Sequence, residues 1–264
     1  MTAPALSINT PFGRYYYNPA KRTQVPSITN IKGKKAIDGL KYWAANEAAR
    51  YASENVGKLY GLTPDEIYRL VKTAPFARDS SKSSASAVGD LVHDWIDRYI
   101  KDDMPDEDEV AAAVPQARQM WRQFLFFTEH YKPDWVDSEF TVWSDEFEYA
   151  GTADWSARIG GTLVLADTKT GKNLYPDYGM QLAALAKADY ILEADGSTRE
   201  LPKFERFALL HVRPTFSRLA PVAYVDELFK QFLALKVVFD FDVAHADGVL
   251  QPAPKLQAPA LKAA

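Results

Sequence analysis

At 264 residues, with 47% hydrophobic and 25% charged positions, the chain has ordinary globular composition and is long enough for one large domain or a domain with an appendage. It contains no cysteine, which excludes disulfides, thiolate zinc sites and a cysteine-ligated iron–sulfur cluster. The net charge of −4 argues against nonspecific coating of nucleic acid, yet residues 1–90 carry thirteen Lys/Arg against seven acids, a balance of +6 that leaves −10 for the rest. A basic first third could follow a phosphate backbone, and the same asymmetry also suits an ordinary solvated surface.

Taken in chain order, residues 1–30 read as turn-rich, with Pro4, Pro11, Gly13, Pro19 and Pro26 around an exposed Tyr15-Tyr16-Tyr17 run. A helix is predicted over Ile37–Tyr51. Thr63-Pro64-Asp65-Glu66 forms a capping box with proline at the first helical position, so another helix should start there. Ser80–Ser86 reads as a loop before a helix over Ala87–Lys101, and Asp106–Tyr131 as one long helix kinked near Pro115. Residues 138–170 then show strand periodicity, with turn signals at Ser144-Asp145 and Gly160-Gly161. A helix over Pro176–Leu192, a strand over Phe204–Val212, a short strand near Pro221–Val225 and a helix over Asp226–Ala244 follow. Gln251–Ala264 is Pro/Ala/Lys-rich and reads as disordered. The expected fold class is α+β with a mixed-sheet α/β core: a helical N-terminal portion over 1–132, a core over 133–248 and a tail over 249–264. No apolar run is long enough to span a membrane, and the start lacks the layout of a secretion signal, so a cytoplasmic protein is expected.

The chemistry concentrates in Asp154 and in Asp167-Thr168-Lys169. A tight bend at Gly160-Gly161 pairs residue 159 with 162, and in that register Asp154 faces Asp167 with their Cβ atoms about 4.5–5.5 Å apart. Lys169, two residues on, projects from the same face. Carboxylates directly opposed destabilise a sheet, and the apolar run Leu163–Ala166 marks a strand buried on both faces, so the pair needs a cation, a shared proton or strong hydrogen bonds. Oxygen ligands suit Mg²⁺ or Mn²⁺. The plainer alternative is an Asp154–Lys169 ion pair with Asp167 merely ending its strand.

Gly151-Thr-Ala-Asp154 followed by Asp167-Thr-Lys169-Thr-Gly171 resembles the PD-(D/E)XK nuclease superfamily in its RecB-like exonuclease branch, which includes CRISPR-associated and phage recombination exonucleases. Gly89 and His93, four apart on one helix face, are similar to the branch's upstream Gly-x-x-x-His, and Gln181 to the start of its Gln-x-x-x-Tyr. Position 185 is leucine, so that tyrosine is missing and Tyr178, one turn earlier, is its candidate substitute. Val25-Pro-Ser-Ile-Thr29 is similar to an opening in phage-type members and reads equally as a turn and helix cap. The resemblance covers about residues 25–190. It implies a restriction-endonuclease-like core in which His93, Asp154, Asp167 and the Thr168 carbonyl bind one or two Mg²⁺ or Mn²⁺ ions, without the iron–sulfur cluster of some relatives. Lys169 would handle the attacking water. Glu139 is a further candidate, placed opposite Ala150 by a two-residue turn at Ser144-Asp145, with a surface strand residue as its alternative.

The resulting expectation is a metal-dependent DNase, an exonuclease acting on linear single- or double-stranded DNA in recombination, replication or repair. It would be in the bacterial host cytoplasm if phage-encoded, with a recombination or replication protein as a further partner. The alternatives are an endonuclease on the same core and a catalytically silent relative that binds DNA or a recombinase.

Overall fold

The computed structural model describes residues 6–35, 38–77, 79–245 and 248–249. Residues 250–264, nearly all of the tail expected from sequence, lie outside them. The turn-rich start is a three-stranded antiparallel sheet: β1 (Ser7–Thr10), β2 (Gly13–Asn18) and β3 (Thr23–Pro26). The tyrosine run is therefore not uniformly exposed. Strand alternation buries Tyr16 and leaves Tyr17 outside, and Tyr16 and Val25 pack with Trp143, Ala150 and Leu192. Ser27 then caps α1 (Ile28–Lys32), its Oγ accepting from the Asn30 amide at 3.1 Å, and a parallel bridge from Ser27 to Ala150 ties the small sheet to the main one.

Three helices follow: α2 (Asp38–Glu54), α3 (Val56–Leu59) and α4 (Pro64–Ala77). The capping box forms, with the Thr63 amide donating to Glu66 at 2.8 Å and the Glu66 amide reaching Thr63 Oγ1 at 3.4 Å. The serine-rich stretch predicted as a loop instead belongs to α5 (Asp79–Ile100). Between Asp79 and Val88 there is neither glycine nor proline to stop a helix, and serine among alanines carries only a small propensity penalty. The single helix predicted over 106–131 is two, α6 (Glu107–Ala112) and α7 (Pro115–Tyr131). Pro115 starts the second rather than kinking the first, because its ring drives Val114 to the extended conformation (ψ 146°).

The main sheet is built from β4 (Asp134–Ser144), β5 (Tyr149–Ile159), β6 (Thr162–Lys169), β7 (Tyr190–Leu192), β8 (Thr198–Glu200), β9 (Arg206–Arg213) and β10 (Phe216–Pro221), in the order β10-β9-β6-β5-β4-β7-β8. Only β6 and β9 pair in parallel, so the sheet is mixed, as the α+β reading requires. The helix predicted over 176–192 stops early: α8 is Asp177–Ala186, and Tyr190 and Ile191 pair with β4 instead. The strand predicted near Pro221–Val225 lies just before that segment, as β10. The chain then enters α9 (Val225–His245).

Both faces of the sheet are covered. Leu163, Leu165 and Leu209 pack beneath α1, α8 and α9, whereas Val164, Ala166 and Leu210 pack beneath α5 and α7. Among the described residues no helix is long and apolar enough to cross a membrane.

Candidate active site

The diglycine bend forms as its sequence requires. Gly160 (φ 58°) and Gly161 (φ 83°) both occupy the left-handed region that a two-residue hairpin loop demands. Ile159 pairs with Thr162, and the same register runs to Trp155 opposite Ala166. There the ladder ends, one step short of Asp154 and Asp167.

Along β5 the alternation slips at that point. Tyr149 and Ala153 belong to the core under α8, while Trp155 and Ala157 belong to the core under α5 and α7, although all four numbers are odd. Across the ladder, the pairs Ser138–Trp155 and Phe140–Ala153 bracket Glu139, whose φ of 50° marks the same irregularity on β4. Asp154 thereby keeps the parity of Ser156, which pairs with Leu165, and it lines the same cleft as Asp167. Glu139 lines that cleft too. It stands opposite Asp154, not Ala150, because the β4–β5 connection spans four residues from Ser144 to Tyr149 and not two.

The cleft, about 390 Å³, holds His93, Glu139, Asp154, Asp167, Thr168, Lys169 and Gln181. Having left the ladder, the Thr168 amide donates to Asp154 Oδ2 at 2.7 Å, and Thr168 Oγ1 accepts from Trp155 Nε1 at 3.0 Å. The contact with Asp154 uses the Thr168 amide and does not bear on its carbonyl, the atom expected as a metal ligand. His93 Nδ1 lies 3.6 Å from the same Asp154 oxygen. Gln181 Nε2 donates to Asp167 Oδ1 at 3.1 Å. Lys169 Nζ is 2.5 Å from Asp167 Oδ2, so the ammonium is the one described group that engages this buried oxygen. Tyr178 stays outside the lining and supports Lys169, whose ammonium sits 4.8 Å from the centre of its ring.

The electrostatics follow from burial. Asp167 is 1% exposed, and burial, then the Asp154 charge, pushes its pKa up to about 6 against the pull of Lys169. Burial also raises Asp154, opposed by Lys169. Glu139 rises to about 8 through burial and the neighbouring charges of Asp154 and Asp97. Lys169 moves the other way from what its burial favours, because Asp167 and Asp154 together outweigh desolvation and hold it protonated. Burial brings His93 down to about 4, so its imidazole is neutral and its contact with Asp154 is not an ion pair. Three carboxyls thus face one ammonium, and the centre is short of positive charge.

Further residues, inside the motifs and outside them, shape the site. A Cβ on Gly89 would come within 2.7 Å of Thr170 Oγ1, so the glycine makes room for the loop after Lys169. That loop is also held from β9: His211 Nε2 contacts the Gly171 carbonyl at 2.8 Å, and Arg213 Nη1 donates to the Thr170 carbonyl at 2.5 Å. Arg14 and Lys32 line the cleft from β2 and α1, and no local pattern in the sequence marks them.

Among the described residues, no three His, Asp or Glu side chains already converge as a closed metal cage. The donor set nevertheless suits a hard divalent cation: carboxylate oxygens, one of them buried with only the Lys169 ammonium beside it, and a neutral imidazole. No family model matches this chain, and no curated protein matches it.

Proposed function

We propose that the chain is a divalent-metal-dependent deoxyribonuclease of the PD-(D/E)XK type, on a restriction-endonuclease-like core, acting as an exonuclease at DNA ends. The observation that carries this reading is the convergence of Asp154, Asp167 and Lys169, from two adjacent strands, with His93 and Glu139 in one cleft. Asp154, Asp167, His93 and Glu139 would hold Mg²⁺ or Mn²⁺. The cation supplies polarisation of the scissile phosphate and a lowered pKa for water.

The chain's own groups do the rest. The Thr168 amide and the Gln181 side chain fix the two aspartates, which limits the reorganisation needed on binding. Lys169, kept protonated by Asp167 and Asp154 and braced on the Tyr178 ring, can orient a water and offset charge as the phosphorus–oxygen bond breaks. With a pKa near 4, His93 keeps a free lone pair at neutral pH and stays out of competition for protons.

The test is incubation of the purified protein with linear and with covalently closed circular DNA, in Mg²⁺, Mn²⁺ or chelator, beside Asp167→Ala and Lys169→Ala. Loss of the linear DNA alone, only with metal and only in the unaltered protein, is the expected result. Degradation of the circle would make the enzyme an endonuclease. Absence of cleavage under every condition, or full activity in both variants, would overturn the assignment.

A further inference from the structure

The cleft is lined by groups of both charges. The main sheet contributes Glu139, Asp154 and Asp167. The N-terminal segment contributes a basic wall, where Arg14 on β2 and Lys32 at the end of α1 line the same space. This wall is rigidly built. The Arg14 carbonyl accepts from the Ser27 amide and from Asn30 Nδ2, both at 3.0 Å, so β2 and α1 are clamped together. Gly13 (φ 99°) is what lets Asn30 in, since a Cβ there would lie 2.3 Å from Asn30 Oδ1.

The two cations differ in how they are held. Lys32 pairs with Asp177 at 3.2 Å and lies 5.2 Å from the centre of the Tyr178 ring, the ring that Lys169 also uses. Its side chain is only 14% exposed, so it is already placed. The guanidinium of Arg14 makes no hydrogen bond or ion pair with any described side chain, although it lines the cleft. A free guanidinium offers five donors in a fork matched to phosphate oxygens. Among the acids the one described cation is Lys169, which Asp167 already engages, so a polyanion finds little net attraction there.

We propose that Arg14, supported by the charge of Lys32, binds a phosphate of the DNA strand next to the bond being cut, making the N-terminal wall a substrate-positioning subsite. This takes the identity of the ligand from the nuclease reading. The forked donors of Arg14 grip two phosphate oxygens, while Lys32 adds charge without a second fork. The strand then lies between the basic wall and the carboxylates, with its cleaved phosphate toward Lys169.

The test measures binding separately from cutting. The full chain, in chelator, is titrated into fluorescent single- and double-stranded oligonucleotides and followed by anisotropy at several salt concentrations. Each oligonucleotide carries either a 5′-phosphate or a 5′-hydroxyl. Arg14→Ala should weaken binding roughly tenfold or more and lower the salt slope by about one. Lys32→Ala should lower the slope with a smaller loss. Arg14→Lys should restore the slope and only part of the affinity. A loss confined to phosphorylated ends assigns the subsite to a terminal phosphate, and a loss on both ends to an internal phosphodiester; either supports the proposal. Wild-type affinity and slope in both alanine variants would overturn it, as would failure of the unaltered protein to bind DNA at all. Cleavage in Mn²⁺ is scored in parallel. A protein that binds through Arg14 but never cuts would lose the nuclease reading and keep the subsite, and one that cuts while Arg14→Ala binds normally would lose only the subsite.

Discussion

Raising the pH in chelator should destabilise this protein, and the cause is Glu139. Its carboxyl feels Asp154 on β5, Asp167 on β6, Asp97 on α5 and Lys101 just past the end of that helix, and its pKa of about 8 compares with 4.5 for an unhindered glutamate. The folded state therefore holds a proton that the unfolded chain releases, and stability falls as pH rises through the folded value. At lower pH the effects offset. Asp167 (3.8 to about 6) and Asp154 lose stability with rising pH, whereas His93 (6.5 down to about 4) and His211, also lowered by burial, gain it. Above pH 6.5 Asp167 is largely past its titration, and Glu139 has its midpoint inside the window. At about 1.4 kcal/mol per pH unit, its deprotonation between pH 6.5 and 9 costs roughly 2 kcal/mol. For a chain of this size that is on the order of 4–8 °C in Tm. Thermal melts followed by circular dichroism, in chelator and in Mg²⁺ or Mn²⁺, measure it directly. Chelator should reveal the fall; Glu139→Gln should abolish it, and a bound cation should shrink it by favouring the ionised carboxylates. A flat profile in chelator, or an unchanged slope in Glu139→Gln, would refute the burial argument. A slope indifferent to cation would separate Glu139 from any metal.

Other expectations concern the same cleft. Lys169→Ala should reduce the cleavage rate by roughly 10²–10⁴-fold, with a circular dichroism spectrum close to the parent's but a lower melting transition in chelator, because buried Asp167 loses its ammonium partner. Calorimetric titration with Mn²⁺ should show binding in the unaltered protein that Asp154→Asn and Asp167→Asn each weaken strongly; equal affinity in all three would remove both from the ligand set. Gly89→Ala, which drives a Cβ to 2.7 Å from Thr170 Oγ1, should cost about 1–3 kcal/mol of stability by denaturant titration. Thr170→Ala in the same chain should recover most of that loss, since the remaining Thr170 Cβ lies 3.9 Å away.

Much of the β5–β6 strand pair could be read from local sequence alone. Two consecutive glycines fix the bend, the bend fixes the register, and the apolar run Leu163–Ala166 is buried at every position. Reading was poorer where a residue's role depends on distant partners. Pro115 carries the same local signal whether it bends a helix or begins one; in the structure Ala113 and Val114 are both extended, so α6 ends and α7 begins. Residues 190–192 continue an apolar stretch compatible with α8, but β4 offers them an unpaired edge, and the Asp189 carboxylate accepts from the backbone amides of Asp145 and Glu146. Tyr16 looks exposed beside Tyr15 and Tyr17 until the sheet that buries it is known. Arg14 and Lys32 are silent for the same reason, lying more than a hundred residues from the acids they face.

Glu139 shows how one miscounted turn changes a chemical assignment. A two-residue turn at Ser144-Asp145 would make the β4–β5 pairs sum to 289, whereas the observed pairs sum to 293 on both sides of Glu139. The difference of four preserves the parity of every side chain, so hydrophobic alternation cannot distinguish the registers. It moves the acid's partner from Ala150 to Asp154. The turn is longer because Asp189 collects the amides of 145 and 146 while Ser144 Oγ takes the amide of Phe147, giving the connection partners that a tight hairpin does not need. Once placed beside Asp154, Glu139 cannot remain in a regular ladder without setting two buried carboxylates side by side on one face. The positive φ at Glu139 and the slip in alternation at Asp154 are where the sheet departs from regularity, and they coincide with the acids. A backbone irregularity at such a site costs of order 1–3 kcal/mol. In this chain it coincides with five ionisable side chains brought into one cleft from a helix and three strands, His93, Glu139, Asp154, Asp167 and Lys169, an arrangement that burial alone opposes and a cation would stabilise.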